Sequence, residues 1–431
     1  MVRLVRLVRL VRLVRPITTA MLVSVLVMSC ALASPSVDPT ATSPTTTPAA
    51  SSTSTATSSA EPAPTPSSAP EVSPNSTASP VPSADVSSVE AILTYPGNIF
   101  PAECSELSAT TGSVRGYHVA AVCAGEIRYM TSRDGARWAI DSIPPPADRL
   151  ELYPQLAVDG DTIYLAYTRI VRGEGGCGDD GLQDLGVYVR SRHLPDGTWT
   201  EPVRVGSEGD GVQAFRVDGG VLHLTVTTAD GGVVYESKSG STLTRIGIPD
   251  AITTSLRIGD DQRARIAYAT GHAIRYARVD GNQLSIVTVA ATDETYLLRP
   301  ALVLGPGDHG YLIWTQKVDP GGGCAEGGPG PLDGTYVGTD ATGQWVRDRL
   351  TEFPNGASLT LDPSSGRLHV IAGDRLTYFT SPGDGSWTSA ELRGTEGLHE
   401  AVIRLDPATG RPIVFALAWG DDPGTYVFRI P

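Results

Sequence analysis

Apolar and polar residues alternate in short runs over roughly the last four-fifths of the chain, and the clearest runs are centred on a tyrosine. Alternation with a period of two over four to eight residues predicts a β-strand with one buried face. The runs recur at intervals between about 41 and 60 residues. Their central residues are Tyr129, Tyr188, Tyr235, Tyr276, Tyr336, Tyr378 and Tyr426. Because every copy has this tyrosine, we expect it to pack in a core rather than to act as a nucleophile.

Each tyrosine run follows another apolar strand, such as residues 162–167 or 367–372, and precedes a tight turn. In four copies the turn leads to a tryptophan: Trp138, Trp199, Trp345 and Trp387. Four short antiparallel strands in each repeat predict the blade of a β-propeller. A β-sandwich is the competing interpretation, because it too consists of short strands and turns, but it does not explain seven aligned copies.

The ends of the repeats predict how the ring closes. The last repeat stops at Pro431 after its third strand, whereas residues 89–95 form an unassigned apolar strand before the first repeat. That strand would supply the missing outer strand and leave no exposed edge. The sequence therefore predicts an all-β fold: a seven-bladed propeller of four-stranded antiparallel blades over residues 89–431, in which both ends of the domain share one blade.

The first 34 residues predict an export signal. Residues 1–15 repeat Val-Arg-Leu without an acidic residue, and an apolar stretch too short to span a bilayer follows at residues 17–28. An amphipathic membrane-surface helix is the alternative for the repeat. Residues 31–33 fit ordinary secretion, whereas residues 27–30 resemble a bacterial lipobox that would place a lipid on Cys30. Lipidation of Cys30 would leave four of the five cysteines free to pair.

Residues 35–88 predict a disordered linker. Ser, Thr, Pro and Ala dominate this segment, which contains no aromatic or basic residue. It cannot bury enough apolar surface to offset the entropy lost on ordering. We expect an extended tether that holds the propeller away from a membrane.

Two long intervals predict matched insertions between the second and third strands of blades two and five. They comprise residues 169–185 and 317–333, and each is rich in glycine and acidic residues and contains one cysteine. The inserts could meet over the channel, so we predict a disulfide between Cys177 and Cys324. Cys104 and Cys123 would then pair locally and tie the start of the propeller to blade one, although the sequence alone admits two other pairings.

Composition excludes some classes of function. The formal net charge of −14, without a basic patch in the propeller, argues against nucleic acid as a ligand. The seven histidines show no metal-ligand spacing, and no glycine-rich phosphate loop precedes a helix. We therefore expect neither a cofactor nor a metal site.

The turns before tryptophan resemble the Asp-box, Ser-x-Asp-x-Gly-x-x-Trp, of sialidases and BNR-repeat proteins. Residues 132–138 are one position short of the motif, and residues 381–387 match it more loosely. In that family the Asp-box is a structural turn remote from the active site, so the resemblance implies a fold. Residues 428–431 match the sialidase Phe-Arg-Ile-Pro motif, but they follow the turns instead of preceding them, and we interpret the match as coincidence. No spacing selects the further arginines, the Tyr–Glu pair and the Asp that a sialidase needs.

These observations predict a monomeric, exported propeller, anchored by lipid to the outer side of the cytoplasmic membrane or released, that binds an extracellular protein or glycan. A sialidase-like glycoside hydrolase is the alternative, so the sequence leaves open whether the protein is an enzyme. Loops on a rigid scaffold commonly carry function, and a structural clasp is the competing interpretation of the inserts. The candidate binding residues are Arg149, Arg169, Arg172, Glu174, Asp179, Asp180, Arg299, Lys317, Asp319 and Glu326.

Overall fold

Seven antiparallel sheets, each built on four strands, follow one another along the chain. The computed structural model describes residues 86–88, 92–93, 96–112, 116–172, 182–194, 197–318, 332–340, 343–354, 357–373, 376–420 and 422–431. Across these ranges, no helix is both long and apolar enough to cross a bilayer.

The strands before the first complete blade are β1 (Val86–Ser88), β2 (Ile92–Leu93) and β3 (Gly97–Phe100). Blade one contains β4 (Cys104–Gly112), β5 (Gly116–Cys123), β6 (Glu126–Ser132) and β7 (Ala139–Ile143). Blade two contains β8 (Leu150–Asp159), β9 (Thr162–Arg172), β10 (Leu182–His193) and β11 (Val203–Val205). Blade three contains β12 (Gly211–Asp218), β13 (Val221–Thr227), β14 (Val233–Ser239) and β15 (Thr242–Ile248).

Blade four contains β16 (Thr253–Ile258), β17 (Ala264–Ala269), β18 (Ala273–Asp280) and β19 (Gln283–Ala291). Blade five contains β20 (Tyr296–Leu304), β21 (Gly310–Lys317), β22 (Gly334–Thr339) and β23 (Val346–Thr351), with a short 3-10 helix (Pro306–Asp308) after β20. Blade six contains β24 (Ser358–Leu361), β25 (Leu368–Ala372), β26 (Thr377–Ser381) and β27 (Trp387–Arg393). Blade seven contains β28 (Leu398–Leu405), β29 (Pro412–Ala418) and β30 (Gly424–Arg429), and β3 completes it.

The innermost strands close a ring around a central channel. Each first strand contacts the first strand of the next blade, and β28 of blade seven contacts β4 of blade one. The predicted seven-bladed propeller is therefore confirmed. We call the end of the channel where the first strands begin the channel mouth, and the end where they turn into the second strands the turn end.

The core is divided among the blade interfaces. Seven clusters of buried apolar residues each lie between two neighbouring blades. Second strands bury both faces, so Val119, Ala120 and Ala121 of β5 are all fully buried. This packing explains why second strands are continuously apolar while other strands alternate. The seven repeated tyrosines lie on the third strands, where five are buried and Tyr188 and Tyr276 are half-buried.

The strand that closes the ring is not the one that the sequence predicts. Gly97–Phe100 pairs antiparallel with β30, whereas residues 86–88 and 92–93 pair in parallel with β27 of blade six. The reason is the length of the connection between blades. In every blade the outer strand ends only a few residues before the next first strand, and β3 meets this requirement because β4 starts at Cys104.

Two further predictions concern the cysteines and the insertions. Cys104 and Cys123 form the predicted local disulfide, but it joins the first two strands of blade one rather than a preceding segment. In blade two, β9 runs to Arg172 and β10 begins at Leu182, so both ends of the predicted insertion are strand. The backbone pairing continues past Arg169, so residues 170–172 and 182–184 lengthen β9 and β10.

Candidate functional site

Four first strands are interrupted at equivalent positions near the channel mouth. In each, two residues oppose a single residue of the second strand, which is the pattern of a β-bulge. The first bulge residue has a positive φ: 58° at Glu106, 58° at Tyr153, 51° at Arg299 and 46° at Glu400. Such backbone costs on the order of 1 kcal/mol or more for each L-residue, and strain of this kind is concentrated at functional sites.

The four strained residues line one cavity of about 790 Å³, which we call the channel-mouth pocket. Blades one, two, five and seven contribute these residues, and Asp184 and Gln213 are among the other polar residues of the lining. The pocket has the size of a small-molecule site. Tyr153 is 45% exposed, so the pocket includes an aromatic side chain that solvent reaches.

Glu106 and Glu400 form a pair of carboxyl groups across the seam between blades seven and one. The backbone N–H of Glu106 donates to Oε2 of Glu400 at 3.1 Å, and the backbone N–H of Tyr153 donates to Oε2 of Glu106 at 2.5 Å. Bond lengths then keep the two carboxyl groups within about 9 Å of each other. Burial raises the pKa of Glu106, the hydrogen bond from Tyr153 opposes this shift, and the charge of Glu400 adds to it. A carboxyl group with a raised pKa beside an exposed carboxylate can donate a proton to a bound molecule.

Asp184 adds a third acidic group from β10. Burial raises its pKa. A Cβ atom at Gly211 would lie 2.8 Å from Oδ2 of Asp184, so glycine provides the space for this carboxyl group. Gln213 is fixed beside it, because its Nε2 donates to Oγ1 of Thr227 at 2.8 Å and its Oε1 accepts from Oγ1 of Thr254 at 2.9 Å.

The binding residues predicted from the sequence do not lie together in the structure. Arg299 lines the pocket, and its backbone N–H donates to Oγ1 of Thr253 at 3.3 Å. Arg169 instead pairs with the buried Glu151 at 2.6 Å, within blade two. The remaining described candidates lie at strand ends: Arg149 before β8, Arg172 at the end of β9 and Lys317 at the end of β21. Glu174, Asp179, Asp180, Asp319, Glu326, Cys30, Cys177 and Cys324 lie outside the described residues.

Sequence reasoning missed Glu106, Tyr153 and Glu400 as site residues. The sequence did contain a signal for the bulges. Residues 153–156 and 299–302 occupy the same position in blades two and five, and each strained residue lies three positions before a core residue of its strand. The two glutamates lie in the first and last repeats, however, and their pairing depends on ring closure. Among the described residues, no group of three His, Cys, Asp or Glu side chains could hold a metal ion.

The sialidase-like motifs lie away from the channel mouth. Oδ1 of Asp134 accepts the N–H groups of Ala136 and Arg137, each at 2.9 Å, and these bonds lower its pKa to about 2. The Asp-box-like turn is therefore a structural hairpin between β6 and β7. Arg429 of the Phe-Arg-Ile-Pro match pairs with Asp406 at 2.9 Å and donates to the carbonyl oxygen of Asp134 at 2.9 Å, so it joins blades seven and one.

No family model and no curated protein matches the sequence. Among solved structures, a PL25 ulvan lyase bound to -[GlcA(1-4)Rha3S]- is 13% identical with a TM-score of 0.53, covering 78% of this chain and 96% of that chain. The GH93 α-L-arabinofuranosidase of Fusarium graminearum, in complex with arabinobiose, is 11% identical with a TM-score of 0.50, covering 78% and 98%.

A third structure, Trypanosoma rangeli sialidase in complex with sialic acid, is 11% identical with a TM-score of 0.47 and covers 80% of this chain and 59% of that chain. At such identities the likeness concerns the fold. The chain is a seven-bladed β-propeller whose fold is similar to those of the ulvan lyase and the arabinofuranosidase.

Proposed function

We propose that the protein is exported and binds an extracellular glycan in the channel-mouth pocket. The observation that carries the proposal is the convergence of Glu106, Tyr153, Arg299 and Glu400 on one cavity, each held in strained backbone. Carboxylates accept paired hydroxyl groups, and an exposed aromatic ring covers the apolar face of a sugar. The similar fold of the GH93 α-L-arabinofuranosidase in complex with arabinobiose supports the same class of ligand.

The charge of the pocket selects among glycans. Glu106, Glu400 and Asp184 bring three carboxyl groups, and Arg299 brings one cation. An acidic lining repels polyanions, because like charges close together raise the free energy of the complex. The proposed ligand is therefore an uncharged glycan rather than a uronate or sialate polymer.

Binding to a glycan array and isothermal titration calorimetry test this proposal on the exported full chain. The variants are Tyr153→Ala and Glu106→Gln, and Glu201→Gln is the control because Glu201 is an exposed glutamate outside the pocket. We expect the wild type and the control to bind the same neutral glycans, and both pocket variants to bind at least about tenfold more weakly. Loss of thermal stability in a pocket variant would mark misfolding. Equal affinity of all four proteins, or no bound neutral glycan, would refute the proposal.

A second candidate function is glycan cleavage, and the raised pKa of Glu106 beside Glu400 favours it. In such a reaction Glu106 donates the proton to the leaving oxygen, and Glu400 activates water or attacks the sugar. Fluorogenic glycosides separate the two functions. Turnover that Glu106→Gln and Glu400→Gln each reduce more than about a hundredfold supports cleavage. Binding without turnover leaves the protein a binding module.

The proposed function also includes export of the protein and attachment of a lipid to Cys30. The apolar stretch at residues 17–28 and Cys30 support a lipid anchor on the outer side of the membrane, with the predicted linker up to the start of β1 at Val86 as the tether. The protein expressed with its own leader in a bacterial host should enter the membrane fraction, and Cys30→Ser should move it to the medium. Retention of both forms in the cytoplasm would refute export, and secretion of both would refute lipidation.

A further inference from the structure

A second cavity occupies the turn end of the channel, away from the channel-mouth pocket. It has a volume of about 410 Å³, and all seven first strands line it. One equivalent position of each strand contributes to the lining. Around the ring these residues are Thr110, Ala157, Arg216, Arg257, Val303, Thr360 and Arg404.

Three of these seven positions are arginines, from blades three, four and seven. Each guanidinium donates to the carbonyl oxygen of the residue before it: Arg216 to Phe215 at 2.6 Å, Arg257 to Leu256 at 2.8 Å and Arg404 to Ile403 at 2.7 Å. This contact fixes one Nη1 of each side chain to its own strand. A guanidinium carries five donors, so N–H groups remain for the cavity on all three side chains, although Nε of Arg404 donates to the carbonyl oxygen of Ala109.

The three charges have no counterion among the described residues. None of the ion pairs found there includes Arg216, Arg257 or Arg404. Two acidic residues line the cavity, Asp260 and Asp308. Asp308 is engaged elsewhere, because Oδ2 pairs with Arg265 at 2.9 Å and Oδ1 accepts the N–H of Asp260 at 2.8 Å. Asp260 is exposed, so water screens its carboxylate.

Converging unpaired guanidiniums are costly without a ligand. Burial lowers the pKa of Arg216 to about 10, and burial together with the charge of Arg216 lowers that of Arg404 to about 9. Both shifts mean that the surroundings solvate the cations poorly and supply no compensating anion. A bound anion would relieve this cost.

We propose that the turn-end cavity binds a small molecule bearing a tetrahedral oxyanion, phosphate or sulfate, held by Arg216, Arg257 and Arg404. Planar guanidiniums bind such oxygens through paired hydrogen bonds. Thr110 and Thr360 add hydroxyl donors to the same ring. The cavity exceeds the size of a free oxyanion and accommodates an ester of a small sugar. The proposal is independent of glycan binding at the channel mouth, because the two cavities share no lining residue.

A purely structural role is the competing explanation for the channel arginines, and the described contacts support it only for Arg404. Nε of Arg404 donates to the carbonyl oxygen of Ala109 at 2.8 Å and thereby joins blade seven to blade one. Arg216 and Arg257 make their described hydrogen bonds within their own strands. Substitution of these two residues therefore tests the anion site without opening the ring.

The experiment measures thermal unfolding and calorimetric binding of the full chain with sodium phosphate, sodium pyrophosphate, sodium sulfate and glucose 6-phosphate. Sodium chloride at matched ionic strength is the reference. The variants are Arg216→Gln and Arg257→Gln. Arg278→Gln is the matched control, because Arg278 is half exposed and pairs with Asp280 on blade four, outside the channel.

We expect an oxyanion to stabilise the wild type and the control beyond chloride, and to bind each channel variant at least about tenfold more weakly. In chloride alone, Arg216→Gln should raise the unfolding temperature, since it removes an unpaired charge. Tighter binding of glucose 6-phosphate would identify the ligand as an ester, and tighter binding of an inorganic anion would identify it as a free ion. Either result supports the proposal. No stabilisation beyond chloride, or equal affinity of Arg216→Gln and Arg278→Gln, would overturn it.

Discussion

Acid should destabilise the propeller through buried histidines that pair with the repeated tyrosines. In blades one and six, Nδ1 of His118 lies 2.7 Å from the hydroxyl group of Tyr129, and Nδ1 of His369 lies 2.6 Å from that of Tyr378. Both histidines are buried. Burial chiefly lowers the pKa of each to about 4, and the charge of a nearby arginine adds to the shift.

The sign of the effect follows from these values. An unfolded histidine titrates near 6.5, whereas the folded protein keeps both rings neutral until about pH 4. Between these values the unfolded state binds more protons, so stability falls as the pH decreases. Each histidine should cost about 2 kcal/mol of unfolding free energy between pH 7 and pH 5, and the two together about 4 kcal/mol.

Urea denaturation at pH 7, 6 and 5 measures this loss. The double variant His118→Gln/His369→Gln should lose about 4 kcal/mol less than the wild type over that interval, whatever its stability at pH 7. His193→Gln serves as the control because His193 is exposed. A double variant with the same pH dependence as the wild type would show that the buried rings do not govern acid stability.

Two further predictions concern blades one and two. Arg169→Met leaves the fully buried carboxyl group of Glu151 without its partner and should lower the unfolding free energy by about 3–5 kcal/mol in urea denaturation; a loss below 1 kcal/mol would mean that water reaches Glu151. Replacing Cys104 and Cys123 by serine opens a disulfide with a sequence separation of 19 and should cost about 3 kcal/mol. Unchanged stability of that variant relative to the oxidised wild type would contradict the described pairing.

Local patterns were sufficient for the architecture of the blades. Third strands around Tyr129 or Tyr336 could be recognised because side chains alternate between two faces with a fixed period. The turns before Trp138 and Trp387 could be recognised because Asp-Gly pairs suit tight hairpins. Both signals depend on residues that are neighbours in sequence. Counting the copies of the tyrosine strand along the chain then gives seven blades.

The closing strand could not be assigned in the same way. Residues 92–93 and Gly97–Phe100 are both apolar enough to pair with an open edge, and the alternation alone favoured the earlier segment. The distance from Phe100 to the start of β4 at Cys104 decides between them, because the outer strand of each blade must lie close to the next first strand. Strand pairing in blade seven therefore depends on the geometry of blade one.

The sequence by itself determined a seven-bladed all-β ring, whereas the structure decided among the possible disulfides in favour of Cys104–Cys123. Only the tertiary structure decided what the channel presents at its two ends. Glu106 meets Glu400 across a sequence separation of 294, and Arg216 shares a cavity with Arg404, because ring closure brings distant repeats together. Which side chains face the channel depends on bulges and on the register of each first strand. Neither the bulges nor the strand register recurs at a fixed interval, so the pattern of apolar and polar residues along the chain does not reveal them.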